Sequence, residues 1–288
     1  MKLKGIDKLR EKLPAYPGRR IAVFPLLGLV AVIMGYGFLI LLSILPRVFS
    51  DISFLEIIEP FLPLVGAAFI AWLGLWLIWG VWNKRDEMKE LYGILAYQKM
   101  IPRGLTGVFL IPCLVFLTFT PIRLLPPRHP VNDLTGQWSI SLLQLVGVSP
   151  IIDTWLRIIV SGVFLILGAL TVRSAILTFG IDYMAVVYLY FPEESELQNH
   201  EIYSVIRHPT YLGGILLGLA GLFFSISIYS ILLALLVILV FRLQIWKEEI
   251  ELVDRFGEGF IEYRKSVPAL LVRPSKIRAY FRFLRGSL

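Results

Sequence analysis

Cysteine occurs once in this chain of 288 residues, at Cys113 in an apolar run, and histidine three times, at His129, His200 and His208. A single thiol excludes an intrachain disulfide and any cysteine-built metal cluster. Three scattered imidazoles are too few for a histidine-only metal site. Charge is scarce as well, with Asp, Glu, Lys and Arg making up 17% of the residues, and acids (21) are outnumbered by bases (28). No internal repeat of fixed period and no low-complexity segment stands out. Chemistry in such a chain calls for an organic ligand and no metal.

Apolar residues fill the space that charge leaves. At 57% hydrophobic residues and a mean hydropathy of +0.75 the chain is too apolar for an ordinary soluble domain. The expected fold is all-α, a polytopic membrane helical bundle, because only helices and closed barrels satisfy their backbone in hydrocarbon. Runs long enough to cross about 30 Å of hydrocarbon fall at 21–45, 61–81, 105–122 and 158–177. The stretch 211–246 is too long for one helix and is interrupted by Ser225, Ser227 and Ser230, so it reads as a tight helical hairpin and brings the count to six spans. The run 184–191 is too short to cross and is expected to be re-entrant or interfacial. The first apolar run is too long for a signal peptide, and no small-residue cleavage site follows it.

Basic residues set the orientation. Residues 1–20 carry seven, 82–104 five, and the tail from Lys247 nine, whereas the two intervening loops carry one and three. With six spans both termini are expected in the cytoplasm. The tail bases Arg264, Lys265, Arg273, Lys276, Arg278, Arg282 and Arg285, interleaved with Tyr280, Phe281, Phe283 and Leu284, suit an anionic bilayer surface. No soluble module carries this charge, so nucleic acid is not an expected partner. Prolines and Gly136 between 121 and 150 break helix repeatedly and divide the chain into 1–150, holding three spans, and 151–288.

Two polar clusters bracket the hairpin: Tyr203, Arg207, His208, Pro209, Thr210 and Tyr211 before it, Glu248, Glu249 and Glu251 after it. Ionisable groups at a bilayer edge are functional-site candidates. Pro209 suits the first turn of a helix, so the fifth span should start at His208 or Pro209. Such a start, with Arg207 beside it, is expected to hold an anion. Glu248 and Glu249 are expected to leave the sixth span at its end, wanting cations or hydroxyl donors. S-adenosylmethionine carries a carboxylate, an ammonium, a sulfonium and ribose hydroxyls, which would satisfy both clusters. Tyr203, Tyr211 and Trp246 would offer π faces to the sulfonium. The bland readings are a solvated helix end for the glutamates and a plain loop for Arg128, His129 and Pro130, which repeat the tripeptide on the opposite face. Arg173 and Asp182 read as boundary anchors or a mutual ion pair. Trp72, Trp76, Trp79 and Trp82 read as helix packing and an interface belt, and the stripe Ile250, Val253, Phe256, Phe260 as interfacial packing.

The pattern Tyr203-x-x-x-Arg207-His208-Pro209-x-Tyr211-x-Gly213, followed by Glu248-Glu249-x-x-Leu252-x-x-x-Phe256-Gly257-x-x-Phe260-x-x-Tyr263-x-x-x-Val267-Pro268, resembles the isoprenylcysteine carboxyl methyltransferases and their phospholipid methyltransferase relatives. The resemblance covers roughly 203–268 and implies an integral membrane enzyme using S-adenosylmethionine on a lipophilic substrate, with 151–288 as the methyltransferase domain. Carried over by position, it implies cofactor contacts at Tyr203, His208, Pro209, Thr210, Tyr211 and Glu248, with Arg207 and Glu249 close by in catalysis. The chain departs from the pattern at Glu201, where a glycine is usual, and at Gln244, where isoprenylcysteine enzymes place a substrate-facing arginine; Arg242 is the candidate substitute. The acceptor so implied is the carboxylate of a prenylated cysteine, already ionised at pH 7 with an α-carboxyl pKa of about 3.5 and needing no general base. A phospholipid amine acceptor and, from another class, an NADPH-dependent membrane reductase are the alternatives, with a transporter behind them.

Overall fold

A computed structural model describes residues 4–127 and 129–286, so Arg128 of the repeated tripeptide lies outside the described residues. Six long helices form the body: α1 (Val23–Val48), α2 (Leu62–Asn83), α3 (Ala96–Phe119), α4 (Pro150–Phe179), α5 (Pro209–Ser225) and α6 (Ile228–Phe256). Five of these are long and apolar enough to cross a membrane, and α5 is a shorter apolar helix of 17 residues. Two further helices follow, α7 (Glu258–Ser266) and α8 (Ile277–Arg285). The chain is an integral, multi-pass, all-α membrane protein.

Close approach between helices in lipid rests on small residues, and two glycine pairs set the frame. Gly74 of α2 and Gly107 of α3 oppose one another so tightly that a Cβ on Gly107 would stand 2.7 Å from the Gly74 carbonyl oxygen. Gly168 of α4 and Gly213 of α5 repeat the device, each Cβ position lying 3.0 Å from the other's carbonyl oxygen. Helix α3 touches α1, α2, α5 and α6, joining the first three spans to the last three.

The end away from the polar clusters is closed by the proline-rich segment, which forms only short helices at Asp133–Trp138 and Leu142–Leu145. Arg47 and Glu59 form a buried ion pair there, 3.0 Å apart. Arg47 also donates to the Ile122 and Leu125 carbonyls at 2.8 Å, and Glu59 accepts from the Asn132 amide at 2.6 Å. The hairpin turn sits at the serines: Ser227 caps α6 in a reciprocal capping box with Ser230.

One expectation is corrected. Helix α6 does not end at the paired glutamates but runs on to Phe256. The residues after Trp246 are good helix formers, and a bilayer boundary ends hydrophobicity without ending a helix. The segment 184–191 is a buried cap, its short helix Val187–Tyr190 packed against Val81, Ala96 and Tyr97 of α2 and α3.

Candidate functional site

A cavity of about 540 Å³ opens among α2, α3, α5, α6, the 183–189 cap, residues 196–198 and α7. Tyr203, Arg207, His208, Thr210, Tyr211 and Glu248 all line it. Pro209 opens α5 at its first position and is buried behind this wall. Farther down, Val108, Pro112, Phe116 and Leu217 continue the lining between α3 and α5, so one end is polar and the remainder apolar.

Arg207 is held from within the chain. Its Nε and Nη2 donate to Glu249 Oε1 at 3.1 and 2.7 Å, while Nη1 donates to the Arg264 and Val267 carbonyls. The backbone amides of Arg207 and His208 donate to the carbonyls of Pro268 and Ala269 at 3.0 and 3.1 Å. Glu249 thus ties the start of α5 to the 264–269 segment instead of lining the cavity, and it also meets His208 Nε2 at 3.1 Å. The fork expected to hold an anion is filled by this carboxylate. His208 stacks on Tyr211 with ring centroids 5.6 Å apart.

Glu248 faces the other way. Its Oε2 is buried with no hydrogen-bond partner, 3.8 Å from His208 Nδ1, and Gln198 Oε1, on the same cavity, also lacks a hydrogen-bond partner. Buried acceptors without partners are rare in native proteins, and two on one cavity suit a ligand bearing hydroxyl or ammonium donors. Tyr203 stacks on Phe179 at 4.8 Å and receives the Tyr263 hydroxyl on its carbonyl at 2.6 Å. Burial pushes the Tyr203 hydroxyl well above its ordinary pKa, so it stays a neutral donor. Burial likewise raises Tyr190 of the cap to about 12, and that hydroxyl donates to the Val81 carbonyl at 3.1 Å.

Other sequence candidates fall elsewhere. Arg242 is exposed on α6 and outside the cavity, whereas Gln244 lines it and accepts from Trp79 Nε1 at 3.0 Å. Asp182 is buried and accepts from the Tyr188 hydroxyl at 2.5 Å; Arg173 is exposed, and no ion pair joins the two among the described residues. Trp72 and Trp76 face outward at 57% and 51% exposure, as a belt would, but Trp82 lines the cavity. Glu251 and Arg255, paired with each other, also line it. Their spacing of three and seven from Glu248 on one helix face was the available signal. Among the described residues no group of side chains is arranged to hold a metal.

A sequence profile of the phospholipid methyltransferase family matches residues 156–258, which run from α4 to the start of α7 and hold both polar clusters. This segment is the part of the chain that is similar to that family. Protein-S-isoprenylcysteine O-methyltransferase of Xenopus laevis is 30% identical over 124 residues, 40% of this chain and 40% of that protein. The enzyme of the same name from Schizosaccharomyces pombe is 34% identical over 107 residues, 37% of this chain and 45% of its own length. The one from Homo sapiens is 31% identical over 117 residues, 40% of each. The chain therefore spans under half the length of the curated relatives it matches. No solved structure matches it. Helices α2 and α3, which build much of the apolar cavity wall, lie before the matched segment.

Proposed function

We propose that this protein transfers a methyl group from S-adenosylmethionine to the carboxylate of a prenylated cysteine or a similar isoprenoid-linked acceptor, at the cytoplasmic face of a membrane. The observation that carries the proposal is a single cavity whose polar end holds Glu248, with an Oε2 that accepts no hydrogen bond, and whose remainder is an apolar passage between α3 and α5. The orphaned acceptors of Glu248 and Gln198 fit the donor's ammonium and ribose hydroxyls. Tyr203 and Tyr211 present ring faces to a sulfonium, an attraction of about 2 kcal/mol when desolvated. When bound, the cofactor would supply a methyl group on positively charged sulfur, and a carboxylate acceptor, already ionised at pH 7, would need no general base from the chain.

The chain's own part is positioning and exclusion of water. Arg207 and Glu249 fix the start of α5 against 264–269, which sets Tyr211 and His208. Residues 183–189 of the cap line part of the polar end. Arg242, outside the cavity, has no part in this proposal, and the acceptor end is left to neutral groups such as Gln244.

Purified protein in detergent tests the cofactor. S-adenosylmethionine and S-adenosylhomocysteine should each raise the melting temperature, since a ligand that binds only the folded state stabilises it. NADPH should not, and a shift with NADPH alone would overturn the methyltransferase assignment. Labelled methyl transfer to N-acetyl-S-farnesylcysteine, set against phosphatidylethanolamine, decides the acceptor.

A further inference from the structure

The C-terminal helix α8 has three faces of different character. On the first, Tyr280 and Leu284 are buried with Ile202, Tyr203, Val205 and Ile206. The Tyr280 hydroxyl shares a 2.5 Å hydrogen bond with Thr171 of α4, and Ser174 Oγ donates to the Phe283 carbonyl at 3.1 Å. On the second, Ile277 and Phe281 stand one turn apart, each 44% exposed. On the third, Arg278, Arg282 and Arg285 follow at helical spacing, all exposed, and Arg273 and Lys276 are exposed just before them. No acidic residue follows Glu262 in the chain.

An exposed apolar stripe beside an exposed basic one is how a helix lies in a bilayer interface, apolar side toward the acyl chains and bases toward headgroups. The first face adds what an ordinary anchor lacks, because Tyr280 and Leu284 pack on the 202–206 segment that carries Tyr203. Tyr203 stacks on Phe179, and both line the cavity. We propose that α8 is a docking surface for anionic phospholipid headgroups and that its docking sets the position of Tyr203, so that anionic lipid raises methyl transfer. The regulatory half of this inference rests on the proposed function; the docking half does not. The partner is an anionic bilayer surface because five exposed bases with no acid among them leave a neutral bilayer only the two apolar side chains to engage.

The test uses the full chain in nanodiscs of phosphatidylcholine alone or with about one third phosphatidylserine, read by amide hydrogen exchange over 277–285 and by methyl transfer to N-acetyl-S-farnesylcysteine. Anionic discs should slow exchange in α8 by tenfold or more and raise the rate at least threefold. The exposed triple variant R278Q/R282Q/R285Q should match the wild type in neutral discs and lose both responses in anionic ones. Equal exchange in the two discs overturns the docking. Slowed exchange with an unchanged rate overturns the coupling to Tyr203. A wild type inactive in both discs defeats the proposed acceptor while the exchange arm still decides the docking.

Discussion

Glu248 and Glu249 are adjacent in sequence and flank the same His208 ring, yet they differ in their hydrogen bonds. Glu249 Oε1 is saturated by Arg207 and His208, whereas Glu248 keeps a buried oxygen with no hydrogen-bond partner. Replacing Glu248 with Gln should weaken S-adenosylmethionine binding by roughly 1.5 to 3 kcal/mol, the range for hydrogen bonds to a charged group, with little change in melting temperature; titration calorimetry reads the first and a thermal scan the second. The reverse holds for Arg207. Removing the guanidinium takes two charge-assisted hydrogen bonds from Glu249 and leaves it with His208 alone on Oε1, and Arg207→Ala should cost about 1.5 to 3 kcal/mol of stability. Arg207→Lys should recover little of it, since an ammonium cannot reproduce the fork. Arg242→Ala, in contrast, should stay within about 0.5 kcal/mol, as surface substitutions do. Stability of Arg207→Ala equal to that of Arg242→Ala would refute the clamp. The sequence showed that these charges belong together but not which of them pair, because pairing between positions 207 and 249 depends on the turn of two helices relative to one another.

Among the elements, the cap over the cavity is held by the N-terminal segment. The amide of Ile181 donates to the Lys4 carbonyl at 2.9 Å, Lys8 and Lys12 both pair with Glu194, and Lys12 Nζ lies 4.3 Å from the Phe191 ring centroid. Hydrogen bonds from Lys12 and Lys8 hold the Glu194 carboxyl below its usual range. Burial alone would lower Lys12, yet its hydrogen bonds to Glu194 and Glu11 leave it raised. A depressed carboxyl adds stability that is present above its unfolded value and lost as pH falls through its folded one. A raised lysine adds stability that is present below its unfolded value and lost as pH climbs through its folded one. Protection of the helix Ile6–Glu11 against hydrogen exchange should therefore form a plateau between those limits and fall off on the acid side as Glu194 protonates. Glu194→Gln should abolish the acid limb, and a limb that survives it assigns the titration to another group. This strap was illegible in sequence, where the N-terminal bases served only to orient the chain. The α5–α6 hairpin was legible because a proline at the first helical position and a serine turn act locally. The far end of α6 was not, because charge marked the bilayer edge and was mistaken for the end of the helix.

For the whole molecule, the distribution of bases has to agree with the path of the chain. Six helices place residues 4–20, 84–95, 180–208 and 257–286 at one end and the 49–61 and 120–149 segments at the other. The end that carries the cavity mouth holds most of the basic residues, so the mouth should face the cytoplasm, where positive loops are retained. Cys113 is 0% exposed and is the only thiol, which makes a clean assay available in a Cys113→Ala background. Glu87→Cys and Glu258→Cys are exposed at the basic end, Asp51→Cys and Asp133→Cys at the other. A membrane-impermeant maleimide applied to intact cells should label the second pair, and permeabilisation should be needed for the first. Labelling of all four without permeabilisation, or of one member from each pair, would break the six-span path. A clean reversal would keep the path and turn the cavity mouth away from the compartment that supplies the methyl donor, and the proposed function would then lose its access route even if every side chain in the site stands as described.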